Sequence, residues 1–257
     1  MFKRCSHSLF IITISLFLFT CSSQSDDEAP NGGMDRSLNQ RGLGQSANEL
    51  LSSDEYSSLK IQIHHVEGFQ PSSGSVEYLQ SFLEDKLNKP AGITVTLEQV
   101  ESEGLSIYSI NKIKEIEDAQ RTSYTEGNTI AVYFYIVDGA YQTNQNVLGV
   151  AYRNTSMVLF QERIEELSGG VGQVSTELLT SSVMAHEFGH LLGLVNVGSP
   201  MVNDHQDDGN GAHCDNEECL MYFAVESSSG LNDLFGMSSP PALDANCLAD
   251  LSNNGGK

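Results

Sequence analysis

The sequence predicts an α/β (α+β) fold: a mixed twisted sheet of about five strands, one long histidine-bearing helix and an irregular C-terminal subdomain. Three observations carry this expectation. β-prone runs, either alternating or continuously apolar, recur between Leu59 and Phe160. Helix-period patterns fall between and after them, most clearly from Ser175 to Gly193. Beyond Gly193 the periodicity stops, and Gly, Asp, Asn and Pro take over.

At the N-terminus, Lys3 and Arg4 precede an apolar run from Leu9 to Phe19, with Cys21 shortly behind. That run is shorter than the ~20 residues a permanent membrane helix needs, so residues 1–20 read as a signal peptide. The placement of Cys21 resembles a bacterial lipoprotein signal, in which this cysteine carries the lipid, and plain secretion is the alternative. The acidic stretch SSQSDDEAP that follows resembles the surface-export signal of some Gram-negative lipoproteins, or is a solvated linker. Residues 21–57 are rich in Ser, Asn, Gln, Gly and acids and read as a tether, with a short helical turn at Asn48 to Leu51. Residues 58–257 then form one domain.

Within that domain, Leu59 to Val66 alternates like a half-buried strand, on which His64 and His65 read as structural. Ser75 to Lys89 is a helix with Val76, Leu79, Phe82, Leu83 and Leu87 on one side, stopped by Pro90. Ile93 to Val100 is a second strand, and Ile110, Ile113, Ile116 and Ala119 mark a helix. The continuous β-prone run Thr129 to Val137 predicts a central strand covered on both faces. Val147 to Tyr152 and Ser156 to Phe160 follow as shorter strands. Gly169, Gly170 and Gly172 lead into the next helix, and Asp244 to Leu251 closes the chain as another.

The stretch with chemistry in it is STELLTSSVMAHEFGHLLG, Ser175 to Gly193. Its start is marked by Ser175 and Thr176 as cap candidates and by Glu177 in the first turn. His186 and His190 stand four apart, so on a helix their side chains share a face and reach one metal ion. Glu187 completes H-E-x-x-H, a pattern in which the histidines bind zinc and the glutamate takes the proton of the zinc-activated water.

With Gly193 the stretch resembles the metzincin metalloproteases, whose pattern is H-E-x-x-H-x-x-G-x-x-H followed by a Met-turn. The third-ligand position of that pattern falls here on Asn196, a weak ligand. Downstream, His213 to Met221 reads HCDNEECLM, the order in which the archaemetzincin branch continues from its third zinc histidine into its Met-turn. The resemblance therefore implies a zinc peptidase with His186, His190 and His213 on the metal, Glu187 as base, Met221 beneath the site and a peptide or protein as substrate. It also implies a loop inserted after Gly193, because 22 residues separate His190 from His213. Asn196, Asp204 and His205 are the other third-ligand candidates. In zincins the strand just before the active-site helix edges the substrate cleft, which points to Ser156 to Phe160 or its neighbour. Archaemetzincins also carry a later C-x-x-C for a structural zinc; only Cys247 follows here, so that second site is not carried over.

Composition narrows the partners. The chain carries a net charge of −21, and residues 1–20 contribute two basic residues and no acid, which argues against nucleic acid and anionic lipid surfaces as partners. Cys214, Cys219 and Cys247 remain after the leader, and an exported protein with three cysteines predicts one disulfide, Cys219 with Cys247 or with Cys214. Asp204, Asp207, Asp208 and Asp215 form an acidic loop that is solvated or takes calcium, and Tyr222 is a core residue or an oxyanion donor. The functional expectation is zinc-dependent peptide hydrolysis by an exported, lipid-anchored envelope protein. The alternative is an envelope lipoprotein that uses a zincin-shaped domain for binding alone; Glu187 separates the two, since a pure binding site needs no base.

Overall fold

The computed structural model describes residues 35–228, 234 and 236–257. The predicted leader, Cys21 and its acidic run lie outside the described residues. Among those described, no helix is long and apolar enough to cross a membrane.

The described strands are β1 (Ser58–Val66), β2 (Ile93–Val100), β3 (Ile107–Tyr108), β4 (Thr129–Val137), β5 (Ala140–Tyr141), β6 (Gly149–Arg153) and β7 (Ser156–Phe160). Five of them form one sheet in the order β2-β1-β4-β7-β6, and β3 pairs with β5 apart from it. β2, β1, β4 and β7 run parallel, while β6 pairs antiparallel with β7 and closes the sheet as an edge strand. The α-helices among the described residues include α1 (Ala47–Leu51), α2 (Ser73–Lys86), α3 (Ile110–Gln120), α4 (Gln161–Leu167), α5 (Thr176–Leu191) and α6 (Ala245–Asn253).

β4 shows why the sheet is buried on both sides. Ile130, Val132, Phe134 and Ile136 join the larger core, which also holds Leu79 and Leu83 of α2 and Leu179, Val183 and Phe188 of α5. Tyr133, Tyr135 and Val137 point the other way, into a smaller core with Ile113 and Ile116 of α3. Successive side chains of a strand face opposite layers, so a continuous apolar run is what a strand between two layers requires.

β1 corrects its predicted half-burial. It lies between β2 and β4, and Gln62, His64 and His65 are buried along with its apolar residues. Gln62 accepts from the backbone N–H groups of Thr122 and Ser123 and bonds the His64 ring, which in turn meets the Tyr133 hydroxyl. The alternation is real, but its polar half is satisfied inside the protein rather than by water. His64 and His65 lie on this strand, and neither belongs to a metal-competent group among the described residues.

Residues 36–57, expected as tether, are packed. Asn39 is buried and donates toward Thr125, the Ala131 carbonyl and Thr155, and its own oxygen accepts from the Thr125 N–H. Leu50 and Leu51 of α1 join the larger core. Composition suggested a solvated linker because the segment's buried contacts are mostly polar.

The hairpin between β6 and β7 is held by charge. Arg153 bridges Glu117 and Asp118 at the end of α3, and Glu117 also pairs with Arg121 and accepts from Ser156. This network pins the β6–β7 hairpin to the end of α3. The predicted cleft edge therefore falls on β6, the neighbour of Ser156 to Phe160, because β7 is internal and fully buried.

Candidate metal centre

α5 begins as its sequence directs: Ser175 caps it by accepting from the Leu178 N–H. From Leu178 to Leu191 every residue is buried, so the helix is enclosed on all sides rather than on one apolar face. A hydrophobic stripe was the visible signal; the small residues Ser181, Ser182, Ala185 and Gly189 let neighbours close over the remaining faces. Gly189 is required for a specific contact. A Cβ there would lie 2.3 Å from the Met221 sulfur, so Met221 packs directly against the turn that carries the histidines.

The helix stops at Gly193, with φ at 74°, and the chain then keeps Val195 and Asn196 in the left-handed region as well, at 54° and 66°. Three successive N–H groups, of Val197, Gly198 and Ser199, turn back onto the Gly193 carbonyl. This tight turn sends Asn196 outward, where its amide donates to Gln206. Asn196 is therefore not at the centre. Asp204 is exposed and absent from it as well.

His213 arrives from the far end of the inserted loop. Asp207 organises that loop by accepting from the Gly209 N–H and the Asn210 amide, and the Asp207 N–H binds the His213 carbonyl. The loop's acidic character thus shapes a turn that presents the Asn210 carbonyl to His213 Nδ1 at 2.7 Å. His186 Nδ1 donates likewise to the Leu220 carbonyl at 2.7 Å. With Nδ1 carrying the proton in each ring, both Nε2 lone pairs face the common centre, the usual outer-shell arrangement of metal-binding histidines.

His186, His190 and His213 converge with a fourth group, Glu226, all offering ligand atoms within 4.8 Å of one another. His186 and His190 Nε2 are 3.2 Å apart. Glu226 Oε2 stands 3.5 Å from His186 and 3.8 Å from His190, and Oε1 stands 3.4 Å from His213. Bonds of ~2.0–2.1 Å in a tetrahedron leave neighbouring donors ~3.3–3.4 Å apart, so the donor set fits a zinc-sized ion. Three imidazole lone pairs aimed at one buried point also repel unless a cation joins them. Burial and the nearby rings push His190 down to about 3, which keeps it unprotonated.

Glu187 is fully buried beside this group. Its carboxylate makes no well-formed hydrogen bond, and burial first, then the negative Glu226, raise its proton affinity well above the ordinary carboxylate range. A Cβ on Gly149, the first residue of β6, would come within 2.6 Å of Glu187 Oε1. The missing side chain at Gly149 is what lets the edge strand lie directly over Glu187. A cavity of about 380 Å³ opens on His213 and Glu226 and is bounded by Asn144, Asn146 and Phe223. A larger one of about 630 Å³ lies behind Tyr222, between Ala224 and Pro241, and touches none of the histidines.

A second cluster lies back to back with the first. Cys214, Cys219 and Cys247 are free thiols, which overturns the expected disulfide. Cys219 and Cys247 sulfurs are 3.6 Å apart, and Cys214 Sγ is 3.4 Å from His205 Nδ1 and 3.7 Å from Asp244. His205, Cys214, Asp244 and Cys247 form a group in which each offers a ligand atom within 4.8 Å of the others. The other ring nitrogen of His205 meets Asp250 at 2.8 Å, both side chains being buried. Neighbouring thiols, with the Asp244 and Met221 N–H groups, hold the Cys219 thiol down to about 4. His205, weighed as a third ligand for the first centre, belongs here instead.

A mostly parallel sheet with an antiparallel edge strand, an H-E-x-x-H helix beneath it and a methionine turn packed under the histidines define a metzincin-type fold. Among solved structures, the chain is similar to archaemetzincin from Methanopyrus kandleri, with a TM-score of 0.51 and 17% identity over 77% of this chain and 96% of that one. It is also similar to metalloproteinase-II from Bacteroides fragilis, with a TM-score of 0.43 and 15% identity over 87% of this chain and 58% of that one. No protein-family model and no curated protein matches the sequence. The fold is archaemetzincin-like.

Sequence reasoning missed Glu226 and the joining of the three cysteines with His205. Glu226 stands alone in FAVESSS with no ligand spacing around it, so no signal marked it. The cysteines did carry a signal: His213 and Cys214 are adjacent, so a histidine turned toward one centre leaves its neighbour facing the other.

Proposed function

We propose that this chain is a zinc-dependent peptidase of the bacterial cell envelope, attached through a lipid on Cys21, with His186, His190 and His213 as metal ligands and Glu187 as general base. The observation that carries this reading is the convergence of His213, 22 residues beyond the helix, on the two helical histidines beside a buried glutamate. A bound zinc would supply Lewis acidity toward the scissile carbonyl and lower the pKa of water toward ~7. Glu187 then takes the proton of the attacking water on a carboxylate oxygen and delivers it to the leaving amine.

The Nδ1–H bonds to the Leu220 and Asn210 carbonyls hold two imidazoles with Nε2 inward, and Met221 under Gly189 keeps the turn rigid. The outer edge of β6 offers backbone groups that an extended peptide can pair with, directly above Glu187. His205, Cys214, Asp244 and Cys247, with the Cys219 thiol beside them, suit a second, structural metal. That donor set is complete without water, as closed sites are.

Zinc analysis of the full chain and two variants tests the reading. Wild type is expected to hold two zinc ions, one for each cluster. His213→Ala should lose the histidine-bound ion together with peptide hydrolysis, and His205→Ala should lose the thiol-bound ion. Unchanged zinc content in the His213 variant would contradict the assignment.

A further inference from the structure

Glu226 is neither a metal ligand nor the base in the reading above, yet it reaches the same centre as the three histidines. It does so from a short 3-10 turn, Phe223–Glu226, that follows the Met221 turn and is anchored by Val225 in the larger core. The backbone on either side of it is equally specific. The Leu148 N–H donates to the Glu226 carbonyl at 2.8 Å, the Ser228 N–H donates to the Asn146 carbonyl at 2.8 Å, and Val147 forms an antiparallel bridge with Ser227. Residues 226–228 therefore lie as a short antiparallel strand against residues 146–148, which lead directly into the edge strand β6.

Antiparallel addition to an edge is how an extended peptide is received by a sheet, through main-chain hydrogen bonds with one side chain directed into the adjacent site. Here the directed side chain is Glu226. Its two oxygens stand 3.4 to 3.8 Å from the three histidine nitrogens, the separation expected of a fourth donor around one shared ion. A catalytic zinc site keeps one position open for substrate; four protein donors close it.

We propose that residues 226–228 are a built-in pseudosubstrate: Glu226 is a fourth protein ligand at the three-histidine centre, and the strand it belongs to holds the first part of the substrate's path. The proposal rests on the peptidase reading of the centre. In the strapped form an incoming peptide finds both the main-chain groups of residues 146–148 and the open metal position taken. Activity then requires the strap to move aside, and the apparent affinity for any metal-directed ligand falls in proportion to the share of chains in which it is seated. A strap seated in nine chains of ten weakens that affinity about 10-fold.

The test uses the full zinc-loaded chain and acetohydroxamate, a small bidentate chelator that binds only a metal with a free position, followed by titration calorimetry. Glu226→Ala and Glu226→Gln should each bind acetohydroxamate at least ~10-fold more tightly than wild type. Both should also hydrolyse a peptide pool faster. The isosteric Gln variant guards against a folding defect in the Ala variant. Equal acetohydroxamate affinity in wild type and both variants would overturn the proposal, and so would no binding in any of them. Zinc analysis of His213→Ala separates the two readings. If that variant loses one ion while acetohydroxamate affinity is insensitive to Glu226, only the pseudosubstrate fails. If it loses none, the peptidase centre itself is wrong.

Discussion

Two clusters share one dipeptide and differ in what surrounds them. His213 faces the helical histidines, Glu226 and a cavity of about 380 Å³, with the buried Glu187 at its side. Cys214 faces two further thiols and His205, packed against α6, with no cavity opening on it among those described. Imidazole and carboxylate around an opening are the donors of a working metal, whereas thiolates in a sealed, carboxylate-backed pocket are the donors of a structural one. The difference teaches that the inserted loop is not an interruption of the site. One end of it positions His213 through Asn210 and Asp207, and its middle supplies His205 to the second cluster.

The sharpest way to break this division is to remove one thiol. Cys219→Ser should lose the thiol-bound ion and loosen the irregular part of the chain after Gly193, because metal binding at such sites is folding free energy, apparent values being roughly 10–16 kcal/mol in small zinc domains. Thermal unfolding of the variant beside wild type checks this, and an unchanged transition would show that the cluster holds no structural metal.

A smaller effect is expected one step further out. Asp250 orients His205 through the ring nitrogen that points away from the thiols. Asp250→Asn should weaken zinc retention at the thiol cluster roughly 10–100-fold while leaving the histidine centre and hydrolysis intact. Chelator competition reads it, and a parallel loss of hydrolysis would mean that the two clusters are not separable.

On the other side, Gly189→Ala should push Met221 away from the histidine turn. Overpacking of this kind typically costs about 1–3 kcal/mol. Denaturant midpoints check the stability term. Hydrolysis should fall more than zinc content, since the floor positions the ligands without binding the ion.

How far these features were legible depended on how local their causes are. α5, β2, β4 and the His186, Glu187, His190 spacing were readable because cap, periodicity and helical pitch act within a few residues. His213 was readable only through motif order, since its approach depends on a loop whose turn is set by Asp207. Residues 36–57 were misread because Asn39, a polar residue in a low-complexity setting, turned out to satisfy Thr125, Ala131 and Thr155 inside the fold. The strands were found but their order was not: which of β6 and β7 is the edge is decided by pairing across the sheet. Glu226 was invisible because nothing in its neighbours announces a ligand; the turn after Met221 and the backbone pairing at Val147 bring it to the centre.

The central claim is that Glu187 acts as the base of a peptide-cleaving centre. It is tested most directly by incubating the full zinc-loaded chain and its Glu187→Gln variant with a diverse peptide pool and following new termini by mass spectrometry. The account predicts cleavage by wild type that chelation abolishes, and a loss of ~10²–10⁴-fold in the variant at unchanged zinc content. Equal cleavage by the two proteins would contradict it.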